Sequence, residues 1–160
     1  MPDTLTIRRE RPDQPEVVAL LAALDDYLAS LYPPEANHLL DVPALLAPEV
    51  RFHVARRGGK VVGTGAVRLM AAERRTEGER YGEIKRMYVD PAERGRRIGE
   101  RILATLEAQA RAEGVRLALL ETGAEQVAAV RLYERCGYRP CAAFGGYPDN
   151  GLSVFYGKPL

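Results

Sequence analysis

The stretch EIKRMYVDPAERGRRIGE (Glu83–Glu100) joins a hydrophobic run to an amphipathic segment. The run Tyr81–Val89 is typical of a β-strand, and Asp90-Pro91 ends it, because the residue before a proline is restricted to extended conformations. Beyond the loop, apolar residues recur at helical spacing (Ile98, Ile102, Leu103 and Leu106). The sequence therefore predicts a strand, a short loop and a helix from about Arg97 to Glu113.

The loop between the strand and this helix has the composition of an anion-binding turn. At the start of a helix, backbone N–H groups lack partners and the positive end of the helix dipole points outward. Two glycines let an anion approach the backbone and three arginines add positive charge. These residues are Gly95, Gly99, Arg94, Arg96 and Arg97. A pyrophosphate site is the preferred interpretation, and a solvated basic helix start is the alternative.

The rest of the chain alternates between segments with the periodicity of a strand and segments with the periodicity of a helix. Strands are predicted at residues 4–8, 51–56, 60–70 and 115–121, from residue 138 onward and at 152–156, and helices at 17–31, 41–46 and 126–136. Gly58-Gly59 suits a tight hairpin turn. We expect Leu45 and Leu46 to turn inward and Glu107 to face solvent. The order predicts an α/β (α+β) fold, a single domain over residues 1–160 in which helices flank a mixed, mostly antiparallel sheet.

Composition narrows the classes of partner. Lysine and arginine total 23 against 22 acidic residues, for a net charge of +1, so we expect no nucleic acid and no membrane partner. Neither a signal peptide nor an apolar run of about 18 residues is evident, and we expect a cytoplasmic protein. The two histidines, His38 and His53, have no Cys, Asp or Glu at metal-ligand spacing, so no metal is predicted.

Two stretches together carry a resemblance to a known family. Glu83–Gly99 and a later stretch, Leu120–Tyr138, resemble the GNAT superfamily of N-acetyltransferases, and the likeness runs from about residue 51 onward. Members carry Arg or Gln, two free positions, Gly, one free position, then Gly or Ala. Arg94 and Gly99 match this pattern, whereas Arg97 takes the place of the middle glycine.

The resemblance implies acetyl-coenzyme A as co-substrate, bound in a V between two neighbouring strands. It places the diphosphate at the turn and the pantetheine arm along the strand before it. Gln126 falls where many members have an asparagine that meets this arm. The implied cofactor-binding residues are Met87, Tyr88, Val89, Arg94, Gly95, Arg96, Arg97, Ile98, Gly99, Glu100 and Gln126.

Two catalytic residues are predicted, Glu83 from its place on the strand that leads into the implied site and Tyr133 from the resemblance. Glu83 is the candidate base that deprotonates the attacking amine, and its alternative role is a polar residue on an exposed strand face. Tyr133 matches the family's tyrosine that protonates the departing thiolate, and its alternative role is core packing. A backbone N–H in the V is expected to stabilise the developing oxyanion.

The predicted reaction is transfer of an acetyl group to a primary amine of a small molecule by direct attack. Two alternatives stay open, namely acetylation of a protein lysine or N-terminal amine, and a non-catalytic acyl-CoA sensor. The acceptor is expected to contact the first helix and the loops at residues 32–37 and 144–150. A homodimer is possible, because similar proteins often pair through sheet edges.

Overall fold

The computed structural model describes residues 4–160. The strands are β1 (Leu5–Arg9), β2 (Val50–Arg57), β3 (Lys60–Met70), β4 (Tyr81–Val89), β5 (Leu117–Gly123), β6 (Arg139–Pro140) and β7 (Ser153–Pro159). The helices are α1 (Pro15–Leu31), α2 (Val42–Leu45), α3 (Ile98–Ala112) and α4 (Val127–Arg135). Short 3-10 turns cover Pro34–Ala36, Arg74–Thr76 and Pro91–Glu93.

The seven strands form one sheet in the order β1-β2-β3-β4-β5-β7-β6. All neighbouring pairs are antiparallel except β4 and β5, which are parallel. The hairpin between β2 and β3 turns at Gly58 and Gly59, whose φ angles of 59° and 81° lie in the left-handed region. The predicted mixed, mostly antiparallel sheet flanked by helices is therefore confirmed.

Helices cover both faces of this sheet, as the alternation of its side chains requires. Ile102 and Leu106 of α3 pack with Val62 on one face. Val17 of α1 packs with Val61 on the other. The fit of α3 is close, because a Cβ on Gly65 would lie 2.6 Å from the Ile102 side chain. Gly65 thus serves helix packing on β3.

The structure corrects two expectations about orientation. Leu45 is buried as predicted, but Leu46 is 42% exposed, because α2 ends at Leu45 and the next residue is rotated by about 100° around the helix axis. Glu107 does not face solvent, since its side chain accepts hydrogen bonds from the Tyr138 hydroxyl at 2.9 Å and Lys158 Nζ at 3.0 Å. These partners compensate for the burial of its charge.

The neighbouring leucines of α2 provide a stability test. We expect Leu45→Ala to lower the free energy of unfolding by about 2–5 kcal/mol, because it leaves a cavity in the core. Leu46→Ala, the matched control at an exposed position, should change it by less than about 0.5 kcal/mol. Urea denaturation of both variants measures the difference, and equal losses would contradict the assigned orientation of α2.

Candidate active site

β4 and β5 separate shortly after they pair. Their register holds only at Gly82 with Ala118 and at Glu83 with Leu119 among the residues described. On its other side β4 carries a bulge, because Lys85 pairs with Ala66 and Tyr88 with Thr64, which leaves two residues of β4 opposite one of β3. A bulge bends its strand and increases the twist. The two strands therefore open into a V.

A cleft occupies this V. Its walls come from α1, the loop at residues 32–39, the diverging ends of β4 and β5, the start of β7 and α4. Polar groups lie among the leucines and the backbone of these elements. The polar lining residues are Tyr32, Asn37, His38, Lys85, Arg86, Glu121, Thr122, Gln126, Tyr133 and Ser153.

The predicted anion-binding turn follows β4 directly. α3 begins at Ile98, and its N-cap residue, Arg97, provides no side-chain hydrogen bond to the helix. Arg97 has φ 60° and ψ 24°, the left-handed conformation that glycine adopts most readily. The arginine thus adopts the backbone shape of the glycine it replaces. The first amides of α3 are left without a side-chain cap, as an anion site requires.

The other residues of the turn divide between charge and packing. Arg94 and Arg96 are exposed, and the Arg94 guanidinium lies 5.9 Å from the centroid of the Tyr88 ring. Ile98 is buried in the core, so only its backbone faces the turn. Gly99 lets α4 approach, because a Cβ there would lie 3.1 Å from Leu132 Cδ2.

Two ion pairs hold the surroundings of the turn in place. Glu93, a buried residue just before the turn, accepts hydrogen bonds from both Nε and Nη2 of Arg57 at 2.7 Å. This bidentate pair ties the turn to the end of β2. Glu100 pairs with Arg135 of α4 at 3.2 Å, so its side chain contacts α4.

Glu83 lies at the point where β4 and β5 separate, and it is 1% exposed. The alternative of an exposed strand residue is therefore wrong. Arg68 donates to Glu83 Oε1 at 2.6 Å and the Tyr147 hydroxyl donates to Oε2 at 2.5 Å. Glu83 is absent from the set of residues that line the cleft.

Tyr133 belongs both to the cleft and to the core. It lines the cleft, and its ring packs edge-on against Tyr138 with 5.9 Å between centroids. Burial raises the pKa of Tyr133, so the phenol keeps its proton at neutral pH. Of the predicted cofactor-binding residues, Met87 and Gln126 also line the cleft, Gln126 as the N-cap residue of α4. Tyr88, Val89 and the turn residues 94–100 do not line it.

The structure adds polar groups that the sequence prediction did not include. Lys85 Nζ donates to the His38 carbonyl oxygen at 2.7 Å and to the Tyr147 hydroxyl at 3.0 Å. Burial lowers the pKa of Lys85, although Glu83 and Glu121 oppose this shift. Glu121 Oε2 lies 2.5 Å from Ser153 Oγ and 3.3 Å from His38 Nδ1. The one sequence signal for Glu121 is a charge inside an otherwise apolar strand.

Known proteins resemble this chain in fold and in sequence. Residues 17–138 match the acetyltransferase (GNAT) family, and the chain belongs to this family of acetyltransferases. An IAA acetyltransferase from Azospirillum brasilense is 49% identical over 156 residues, which cover 98% of each chain. An aminoalkylphosphonate N-acetyltransferase from Salmonella typhimurium is 37% identical over 95 residues, 59% of this chain and 60% of that protein.

Two solved structures extend the comparison. One from Klebsiella pneumoniae, assigned as an acyl-CoA N-acyltransferase, has a TM-score of 0.80 and 40% identity, with 98% of each chain covered. The PaiA N-acetyltransferase of Thermoplasma acidophilum, solved in complex with coenzyme A, has a TM-score of 0.72 and 14% identity over 98% of this chain and 99% of that one. The second likeness shows the fold alone.

Within residues 4–160, no group of three or more His, Cys, Asp or Glu side chains is arranged to hold a metal ion. In the same part of the chain, no helix combines the length and apolar character needed to cross a membrane.

The conformation of Arg97 can be tested by a pair of glycine variants. We expect the free energy of unfolding of Arg97→Gly to exceed that of Arg96→Gly by about 1–2 kcal/mol. Of these two arginines only Arg97 has a left-handed backbone, which is unfavourable for a residue with a Cβ. Both variants lose one positive charge and gain the same freedom in the unfolded state, so these effects cancel. Urea denaturation measures the difference, and a lower stability for Arg97→Gly would show that Arg97 is not held in this conformation.

Proposed function

We propose that this acetyltransferase moves an acetyl group from acetyl-CoA to a primary amine of a small molecule. The observation that carries the proposal is the open V between β4 and β5, together with the uncapped helix N-terminus in the loop that follows β4. Such a cleft offers backbone groups to an extended amide chain at one end and to a diphosphate at the other. In coenzyme A, the pantetheine arm is the extended amide chain and the diphosphate lies at the end of that arm.

The residues present fit coenzyme A. The backbone N–H groups at residues 95–100 and the guanidinium groups of Arg94 and Arg96 would hold the diphosphate. The backbone of β4 at Met87, Tyr88 and Val89, with the side chain of Gln126 across the cleft, would hold the pantetheine arm. Acetyl-CoA supplies an acyl group activated as a thioester.

The groups around the cleft suit direct transfer without a covalent enzyme intermediate. Neither cysteine of the chain lines the cleft, and burial raises the pKa of both Cys136 and Cys141, which disfavours the reactive thiolate. Tyr133, protonated and facing the cleft, is suited to donate its proton to the departing sulfur. Two carboxylates are candidates to accept the proton of the amine. One is Glu83, which the sequence predicted, and the other is Glu121, which the structure adds.

The relatives support a small-molecule acceptor. IAA and aminoalkylphosphonates, after which two of the relatives are named, are small compounds, and the second class carries an amine. In this chain the loop at residues 32–39 contributes to the wall of the cleft, which favours a compact acceptor over an extended polypeptide.

Ligand-induced stabilisation tests the cofactor. At one hundred times its dissociation constant, acetyl-CoA should raise the free energy of unfolding by about 2.7 kcal/mol. ATP and NAD at the same concentration should have no comparable effect. Thermal denaturation with each ligand measures the shift, and Arg94→Ala should weaken the response to acetyl-CoA. The absence of any shift with acetyl-CoA would contradict the proposal.

Release of the coenzyme A thiol identifies the acceptor class. The panel contains IAA, 2-aminoethylphosphonate, glycine, putrescine, kanamycin and a lysine-containing peptide. We expect turnover with at least one small primary amine. Turnover with the peptide alone would favour the protein-acetylating alternative, and cofactor binding without turnover would favour the acyl-CoA sensor.

A conservative variant tests the role of Tyr133. Tyr133→Phe removes only the hydroxyl, so it should leave the affinity for coenzyme A unchanged and lower kcat about 10- to 100-fold, because the departing sulfur loses its proton donor. Calorimetry and steady-state kinetics separate the two effects. An equal loss of coenzyme A binding would assign Tyr133 to packing instead.

A further inference from the structure

Resting on the proposed function, we infer that Glu121 binds the ammonium group of the acceptor and takes its proton, with His38 and Ser153 as positioning residues. Glu121 lies near the end of β5, where this strand has already separated from β4. Its side chain is 9% exposed and lines the cleft. The carboxylate is therefore sheltered from bulk water but open to a ligand.

The two oxygens of Glu121 have different surroundings. Oε2 accepts a hydrogen bond from Ser153 Oγ at 2.5 Å and lies 3.3 Å from His38 Nδ1. Oε1 has no hydrogen-bond partner among residues 4–160, and it is not one of the fully buried atoms that lack a partner. One oxygen is thus fixed by the protein while the other is free to accept from an ammonium group.

Glu83 lacks such a free oxygen. Arg68 engages its Oε1, and the Tyr147 hydroxyl engages its Oε2, while Lys85 Nζ lies 3.7 Å from Oε2. A proton arriving at Glu83 would have to reach an oxygen that already accepts from Arg68 or Tyr147, and Glu83 does not line the cleft. The geometry therefore favours Glu121 as the proton acceptor and leaves Glu83 to hold Arg68 and Tyr147 in place.

The charged and titratable groups around Glu121 come from each element packed against it. They are His38 from the loop that precedes α2, Lys85 from β4, Tyr133 from α4, Tyr147 from the loop before β7, and Ser153 from β7. Among the described residues that line the cleft, Glu121 is the one carboxylate, and Lys85 and Arg86 are the buried cations. Arg86 is paired with Asp25, and Lys85 Nζ lies 3.7 Å from Oε2 of Glu83, which is outside the cleft wall. An ammonium group in this part of the cleft would find its counter-charge at Glu121.

The proton balance of the reaction follows from this placement. An ammonium group, RNH₃⁺, gives one proton to Glu121 Oε1 and keeps the lone pair that forms the new C–N bond as the C–S bond breaks. The departing sulfur takes a proton from Tyr133 as the C–S bond breaks, and the second proton that the nitrogen loses as the amide forms restores the Tyr133 phenol. One proton in total is released to solvent, and His38, next to Glu121 and partly exposed, provides a route for it.

The test compares Glu121→Gln with a matched control, Glu125→Gln, which removes an exposed carboxylate outside the cleft wall. The substrate is the panel amine with the highest kcat/KM in the wild-type enzyme. Glu121→Gln should lower kcat/KM by about 100- to 10,000-fold near neutral pH. The deficit should shrink as pH rises toward the pKa of the amine, about 10, because the substrate then arrives already neutral. Glu121→Asp, which keeps a carboxylate, should recover part of the loss.

A second readout separates this inference from the proposed function. Stabilisation by coenzyme A should be the same in Glu121→Gln, Glu125→Gln and the wild type, which also shows that each variant is folded. A wild-type enzyme inactive on every panel amine would overturn the proposed function. An active wild type with an unchanged rate and pH profile in Glu121→Gln would overturn the inference alone. If Glu83→Gln rather than Glu121→Gln shows the pH-dependent loss, Glu83 is the base and the inference is overturned.

Discussion

The separation of β4 from β5 after a single short stretch of parallel pairing is the constraint on which the site depends. Two paired residues on each strand hold the sheet together, and the bulge on the other side of β4 bends the strand away. Backbone groups that would otherwise bond to the neighbouring strand become available to a ligand. A sheet with continuous pairing would have no cleft at this place.

The other parts of the site are arranged around this opening. β4 leads from the cleft to the turn at residues 94–99, Gly99 brings α4 close to the start of α3, and α4 carries Gln126 and Tyr133 into the cleft. At the opposite end, Lys85 ties the loop around His38 to β4, and Glu121 meets the same loop from β5. The proposed anion site thus follows β4 beyond one end of the opening, and the proposed acceptor site lies at its other end.

The sequence predicted the elements well because each is encoded locally. The hydrophobic run of β4, its ending at Asp90-Pro91 and the apolar stripe of α3 are properties of short segments, and the strand Tyr81–Val89 was predicted to the residue. The error at Leu46 arose at the end of a short helix, and the error at Glu107 arose where long-range contacts decide the outcome. Glu107 is buried because Tyr138 and Lys158 reach it from distant parts of the chain.

The same distinction applies to the candidate site. The proposed anion-binding turn is contiguous in sequence, so its loop and helix start could be predicted. The contact between His38 and Glu121 joins residues 83 positions apart and has no local signature. The left-handed backbone of Arg97 was also hidden, because a motif position usually filled by glycine gives no conformational signal when an arginine occupies it. Resemblance indicated the role of this position, and only the structure shows that the backbone conformation is retained.

A crystal structure of the protein with coenzyme A tests the central claim most directly. The diphosphate oxygens should lie about 3 Å from backbone nitrogens at residues 95–100, with the pantetheine arm between β4 and β5. Coenzyme A bound elsewhere, or a complex in which the V between β4 and β5 stays empty, would contradict the assignment of this opening as the active site.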